Sequence, residues 1–389
     1  MSNRKNARVI AYYLPQFHPI PENDKWWGKG FTEWTNVGKA KPLFKGHYQP
    51  RVPADLGYYD LRLPDVREAQ AKMARESGVE GFCYWHYWFS SDKKLLARIF
   101  QEVLETGKPD YPFCLGWANH SWTNKSWEAG TRKVKEQTLM QMVYSKDEYI
   151  KHFYDVLPAF KDKRYILVDG KPLFVVWDPL GLPDPNEFIE LWQKLAKENG
   201  LKGIYFVGAK QNIDFEDKKN SGRVFKKNYN TAARHYMSVL NAGFDGVNSK
   251  GYERAEYICR SALSLAVRGA ISRLFKFFPI SKCNQSDINK YSFVDEDKWE
   301  NVYPSIMPGW DRSPRSGKKA LIHTNATPEV FKQHVRDALK CIEHKSDEHK
   351  ILFLWSWNEW AEGSYMEPDL KYGTGFLDAL SEVINCNKH

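Results

Sequence analysis

The sequence predicts an α/β protein, a single (β/α)8 barrel with elaborated βα loops, occupying residues 1–389 as one domain. Three observations carry that prediction. Short, nearly unbroken apolar runs recur along the chain, as strands buried on both faces of a parallel sheet do. A stretch of helical periodicity separates each run from the next. Polar groups and tryptophans gather just after the runs, at the end of a barrel where chemistry is placed.

The strands are expected at Val9–Leu14, Glu80–Trp85, Phe113–Ala118, Leu173–Trp177, Ile204–Ala209, Phe244–Val247, Ser305–Gly309 and Ile351–Trp355. Helices are expected at Pro64–Ser77, Lys93–Glu105, Lys146–Phe160, Pro185–Asn199, Asn230–Ala242, Glu253–Phe277, Pro328–Ile342 and Gly375–Asn385. Pro64, Pro185 and Pro328 open their helices, where a missing N–H costs nothing. The residues following the strands include Gln16 and His18, then His86, then Asn119 and His120, then Asp178, then Lys210–Asn212, Asn248, Trp310–Asp311 and Asn358–Glu359.

Composition sets the class. With 42% hydrophobic and 27% charged residues, the chain is an ordinary globular protein with a large core. Its 15 Trp, 21 Tyr and 22 Phe are a surplus, which suits stacking on sugar rings. The 6 cysteines include no C-x-x-C pair, so neither a zinc site nor a redox motif is indicated. Cys83 and Cys114 fall inside strands as buried thiols, which favours a reducing compartment. No signal-peptide core opens the chain and no apolar run is long enough to span a bilayer, so the expected location is cytoplasmic. Much of the +9 net charge lies in Lys218–Arg234 and Arg254–Lys282, which read as solvated faces without the signals of a nucleic-acid module.

The segment Ile258–Phe278 carries Leu263, Val267, Ile271, Leu274, Phe275 and Phe278 on one helical stripe, with Arg260, Arg268, Arg273 and Lys276 around it. An outer barrel helix is the first reading. Peripheral membrane contact through 258–278 is the alternative. Asp295-Glu-Asp297 resembles a metal-binding D-x-D but reads as a loop cap, and no Gly-rich phosphate loop follows any strand. Neither a metal nor a cofactor is expected.

The most informative stretch is Ile351-Leu-Phe-Leu-Trp-Ser-Trp-Asn-Glu-Trp-Ala-Glu362. Glu359 and Glu362 follow a buried strand among Trp355, Trp357 and Trp360. Cleavage at an anomeric carbon needs one carboxyl to protonate the glycosidic oxygen and a second to act at the ring, with aromatic faces to hold the pyranose. On one helical turn, residues three apart set their Cβ atoms roughly 5–6 Å apart, near the ~5–5.5 Å carboxyl separation of retaining glycosidases.

Tyr12-Tyr-Leu-Pro-Gln-Phe-His18, Trp26-Trp-Gly-Lys-Gly-Phe-Thr-Glu-Trp34, Gly81-Phe-Cys-Tyr-Trp-His-Tyr-Trp88, Met307-Pro-Gly-Trp-Asp311 and Trp357-Asn-Glu-Trp-Ala-Glu-Gly363 together resemble the WbsX family of bacterial surface-polysaccharide proteins. That family is related to glycoside hydrolase family 99, which holds endo-α-mannosidases. The resemblance runs from about Ala7 to about Leu380 and implies a (β/α)8 barrel that retains anomeric configuration. It also implies the catalytic pair, Glu359 and Glu362. In the family's mechanism the first Glu deprotonates the sugar 2-hydroxyl, which attacks the anomeric carbon to give a 1,2-anhydro sugar. The second protonates the leaving oxygen and then activates water.

Around that pair, the expected substrate contacts are Glu33, His86 and Asp311 to hydroxyls, and Trp34, Trp122 and Trp310 by stacking. Tyr12 and Tyr84 reach from strand ends, and Gln16, His18, Asn119, His120, Asn358 and Trp360 complete the set. Two positions depart from the family pattern: His120 and Asn248 stand where relatives often carry an acid. The resulting expectation is a retaining glycosidase acting on an oligosaccharide or polysaccharide, with no nucleic-acid partner. A glycosyltransferase of O-antigen or capsule assembly, and a non-catalytic carbohydrate-binding protein on the same scaffold, are the alternatives.

Overall fold

The computed structural model describes residues 5–124, 137–209, 230–260 and 280–385. Lys210–Asn212, Cys386 and the stretch 261–279, most of the amphipathic segment, lie outside the described residues. The barrel strands are β1 (Arg8–Tyr13), β2 (Val79–Ser90), β3 (Phe113–Trp117), β4 (Lys171–Val176), β5 (Tyr205–Gly208), β6 (Gly246–Ser249), β7 (Val302–Ile306) and β8 (Ile351–Leu354). Each pairs in parallel with the next, and β8 returns to β1 with Val9 opposite Leu352, so the sheet closes. Ring closure buries both faces, which is why these runs read as unbroken apolar sequence: Leu352, Phe353, Val175 and Phe206 are all inaccessible.

The surrounding helices are α1 (Pro64–Glu76), α2 (Arg98–Thr106), α3 (Lys146–Phe160), α4 (Pro185–Glu198), α5 (Asn230–Asn241), α6 (Gly251–Cys259), α7 (Pro328–Ile342) and α8 (Gly375–Ile384). Three of their starts follow from capping chemistry. Ser145, Asp184 and Thr327 accept the backbone N–H groups of Glu148, Glu187 and Val330, satisfying donors that the first turn leaves open.

Two expected boundaries and one expected local geometry are wrong for identifiable reasons. The helix expected from Lys93 begins only at Arg98, because Lys93–Leu95 folds back as a strand on the extended end of β2, with Tyr87 opposite Leu95. Strand β7 starts at Val302 rather than Ser305. Pro304 stays inside the strand opposite Ser249, and a proline there argued against a strand. Finally, Glu359 and Glu362 do not share an α-helical turn. Asn358–Glu359 pairs antiparallel with Ser364–Tyr365, and Trp360–Glu362 forms a 3-10 turn between them.

The loops at the C-terminal ends of the strands are elaborated. The β1 loop carries short helices at Pro21–Trp27 and Glu33–Lys39, and the β7 loop one at Ser313–Ser316. A strand at Leu321–Thr324 then pairs in parallel with Ser281–Asn284 outside the barrel. Asp297 accepts hydrogen bonds from Val294 N (2.9 Å) and Tyr236 Oη (3.1 Å), so the D-x-D segment caps its own turn. Among the described residues no group of three His, Cys, Asp or Glu side chains could hold a metal ion, and no helix is long and apolar enough to cross a membrane.

Candidate active site

A cavity of about 640 Å³ opens where the strands end. Trp85, Trp177, Tyr252, Trp310 and Trp355 line it, with Tyr87 and Trp122. Their rings interlock: Trp177 stacks on Trp355 at 5.3 Å between centroids, and Trp85 meets Trp177 edge-on at 5.4 Å. Tyr252 joins Trp355 to Trp310, at 6.4 and 6.3 Å. Rigid aromatic faces of this kind bind the C–H surfaces of a sugar with little entropy loss.

Glu359 and Glu362 face the same cavity and converge on one guanidinium. Arg315, fixed on the short helix of the β7 loop, donates from Nη1 to Glu362 Oε1 (2.6 Å) and from Nη2 to Glu359 Oε2 (3.0 Å). Its Nη2 also donates to Glu33 Oε1 (2.7 Å). Glu33 is fully buried at the first turn of the Glu33–Lys39 helix, and it accepts the Ala361 N–H as well (3.1 Å). Three carboxylates therefore share one cation, and the third of them holds the backbone between the other two.

Burial pushes Glu359 above its ordinary 4.5, Arg315 offsets part of that, and the Glu362 and Glu33 charges add to it, leaving Glu359 at about 8. Burial raises Glu33 too, against the pull of Arg315. With one guanidinium shared among three carboxyls, Glu359 keeps its proton near neutrality.

Local structure locks this geometry. Glu359 N–H donates to Ser356 Oγ (2.9 Å). Asn358 ties β8 to β1 by accepting from Leu14 N (2.7 Å) and donating to Leu14 O (3.0 Å). Gly363 adopts φ +64, and a Cβ there would come within 2.7 Å of Asp311 Cβ, so the glycine after Glu362 is required twice over. The Asp311 N–H in turn donates to Glu362 O (2.6 Å).

Beneath the pair, the buried Glu367 carboxylate accepts four hydrogen bonds, from Gln70 (2.6 Å), Tyr59 (2.8 Å), Trp357 (3.0 Å) and Trp360 (2.6 Å). Burial raises it to about 7 against those donors. A Glu367→Gln side chain would turn an NH2 toward indole and amide donors. We expect it to lower unfolding stability by about 2–5 kcal/mol. An unchanged denaturation midpoint would refute this structural role.

Of the substrate contacts expected from sequence, the structure brings His120, Trp122 and Trp310 to the cavity beside Glu359 and Glu362. The remainder stand behind the wall or elsewhere. Tyr12 lies inside the barrel, stacked on Trp85 at 4.8 Å and donating to Asn248 Oδ1 (2.8 Å). Asn248 in turn donates to Tyr303 O and Ser305 Oγ, both at 2.9 Å, so this departure from the family pattern serves the barrel interior. Tyr84 packs between Tyr13 and Phe100. His86 pairs with His152 through their Nε2 atoms (2.9 Å). Asn119 clasps Asp178 by both backbone groups.

Gln16 is buried and its backbone carbonyl accepts the Glu33 N–H. His18 borders a separate hollow of about 530 Å³ with Lys94 and Arg98. Trp34 donates to Tyr59 O and packs on Trp360, which itself stacks on Tyr365 at 3.8 Å. Burial opposes ionisation of Asp311, but His47 (2.8 Å), the Arg51 charge, the Ser313 N–H and Gln49 (2.7 Å) bring it down to about 2. It anchors the loop that carries Trp310.

The organiser of the site, Arg315, was not among the expected residues. Its only signal was a position in the loop after β7, four residues beyond Asp311. Trp85, Trp177 and Trp355 ended expected strands and could have been placed at the cavity on that ground.

The fold and site define a barrel protein with a carboxylate cluster and aromatic walls at the C-terminal end of the sheet. The chain belongs to the family described as Glycosyltransferase WbsX, whose model matches residues 9–380. It is 33% identical over 385 residues to the uncharacterized protein WxcX of Xanthomonas campestris pv. campestris, in two strains, covering 97% of this chain. The chain spans about half the length of those curated relatives, 50%. Among solved structures, a GH99 (glycoside hydrolase family 99) endo-alpha-mannosidase from Bacteroides thetaiotaomicron superposes with TM-score 0.52 at 14% identity, covering 97% of this chain and 96% of that one. A glycoside hydrolase-like protein matches with TM-score 0.53 at 15% identity, over 99% and 96%. These likenesses establish a shared fold.

Proposed function

We propose that the protein is a carbohydrate-active enzyme that cleaves a glycosidic bond of a surface polysaccharide or its precursor with retention, through a 1,2-anhydro sugar. The observation that carries this is the placement of Glu359 and Glu362 on one guanidinium, facing an aromatic cavity. Two carboxyls presented from one side of a cavity are poorly arranged for direct attack by one and protonation by the other from opposite faces of the ring. Attack by the sugar's own 2-oxygen removes that requirement.

In this scheme Glu359 takes the 2-hydroxyl proton as O2 bonds to the anomeric carbon, while Glu362 gives its proton to the departing oxygen. Water then attacks the anomeric carbon and yields a proton to Glu362, and O2 recovers its own from Glu359. Two inversions give net retention. Glu359 acts in its ionised form, whose share grows as pH rises toward about 8.

The family description favours a second reading, in which a glycan hydroxyl rather than water opens the anhydro ring. The same residues would serve, and the two readings differ in product. Incubating the enzyme with oligosaccharides from the producing bacterium's surface glycan, in 18O-labelled water, distinguishes a labelled reducing sugar from a transferred one. Glu362→Gln is expected to fold normally and lose turnover by about 10²–10⁴-fold on substrates with poor leaving groups. Retained turnover would reject the assignment.

A further inference from the structure

Arg312 also lines the cavity, beside the carboxylate assigned above as the acid. Its Nε lies 3.3 Å from Glu362 Oε1, and its side chain is 39% exposed. No other ion pair engages it among the described residues. The two terminal nitrogens, the fork that grips a carboxylate or phosphate, thus remain open to the cavity. Arg260 and Lys319 line the cavity as well. Two acids do too, Glu253 and Glu256, but Glu256 is held by His323 Nε2 (2.9 Å) and faces Arg260 Nη2 at 3.9 Å.

Charge balance changes during the reaction. With Glu362 protonated for catalysis, Glu33 and Glu359 remain opposite Arg315 and Arg312 loses its counter-charge. An anion bound there would restore it. Because Glu362 delivers its proton to the leaving oxygen, Arg312 belongs to the leaving-group side of the scissile bond.

We propose that Arg312 forms a subsite for an anionic group, a sugar carboxylate or a phosphate, carried by the residue on the leaving-group side. The enzyme's substrate class is then an acidic glycan or a glycosyl phosphate. This inference rests on the assignment of Glu362 as the acid, but its test needs no turnover, so the two can fail separately.

The test is calorimetric binding of glucuronate, glucose 1-phosphate and glucose to the full chain and to Arg312→Gln, with thermal unfolding to verify that the variant folds. The wild type is expected to bind at least one anion about tenfold more tightly than glucose. Arg312→Gln should abolish that preference and leave glucose binding unchanged. Preference for glucuronate identifies a sugar acid, and preference for glucose 1-phosphate identifies a phosphate. Equal binding of all three by the wild type, or an anion preference that survives in Arg312→Gln, overturns the proposal.

Discussion

Arg315→Met is expected to lower unfolding stability by about 3–5 kcal/mol at pH 8, and to remove activity altogether. The substitution keeps an unbranched side chain of similar length but leaves Glu33, Glu359 and Glu362 around an apolar tip. Arg315 and Glu33 are almost inaccessible, so water cannot take over the lost contacts. The effect has a pH signature. Burial already raises Glu33 and Glu359, and without the guanidinium that opposes it they keep their protons to still higher pH in the folded chain than in the unfolded one. The folded state then binds more protons, and its stability falls as pH rises. Below about pH 4 both states are protonated and the deficit should shrink. Urea denaturation of both proteins at pH 4, 6 and 8 measures this directly. A deficit of the same size at every pH would mean that Arg315 acts through packing alone.

The barrel was legible because its signal is repeated. Each strand is a short apolar run, four of the outer helices open on a cap or a proline, and the alternation survives errors of a few residues at any single boundary. The carboxylate pair was legible for a different reason: Asn358 to Gly363 is one continuous stretch, and the turn that presents both carboxyls is formed locally. Ser356 and Gly363 shape the turn, and Glu359 and Glu362 present themselves from it.

The remainder of the site depends on distance in sequence. Arg315 meets Glu33 across 282 positions, and nothing in the local pattern of either residue announces that contact. Glu33, Asp311 and Trp360 were recognised as important, yet contact with substrate and support of a neighbour leave the same trace in a single sequence. Only placement separates them: Glu33 on Arg315, Asp311 on His47 and Gln49, Trp360 on Glu367. Tyr12 and Tyr84 illustrate the period-two geometry of strands. Tyr12 lies inside the barrel against Trp85, whereas Tyr84, one residue before Trp85, packs outward on Tyr13 and Phe100, and Trp85 and Tyr87 on the alternate positions of its strand reach the cavity.

Glu359→Gln should separate function from stability. If Glu359 is the base toward the 2-hydroxyl, as proposed, its amide should reduce turnover by about 10²–10⁴-fold. The same change is expected to stabilise the fold in alkaline solution. Native Glu359 titrates at about 8 against an ordinary 4.5, so between those values the folded chain holds a proton that the unfolded chain has released. Stability therefore declines as pH rises through that window, and the full cost is present above pH 8. A neutral amide escapes it while still accepting from Arg315 Nη2. At pH 9 the variant should exceed the wild type by on the order of a few kcal/mol, and near pH 4 the two should converge. Thermal unfolding across that range reads both limbs. A variant less stable than wild type at pH 9 would show that Arg315 holds the Glu359 carboxylate more strongly than burial and the neighbouring charges oppose it. The acid and base roles would then have to be reassigned within the cluster. A variant more stable than wild type at pH 9 would mean that this carboxylate costs the fold stability, a cost the proposed reaction accounts for.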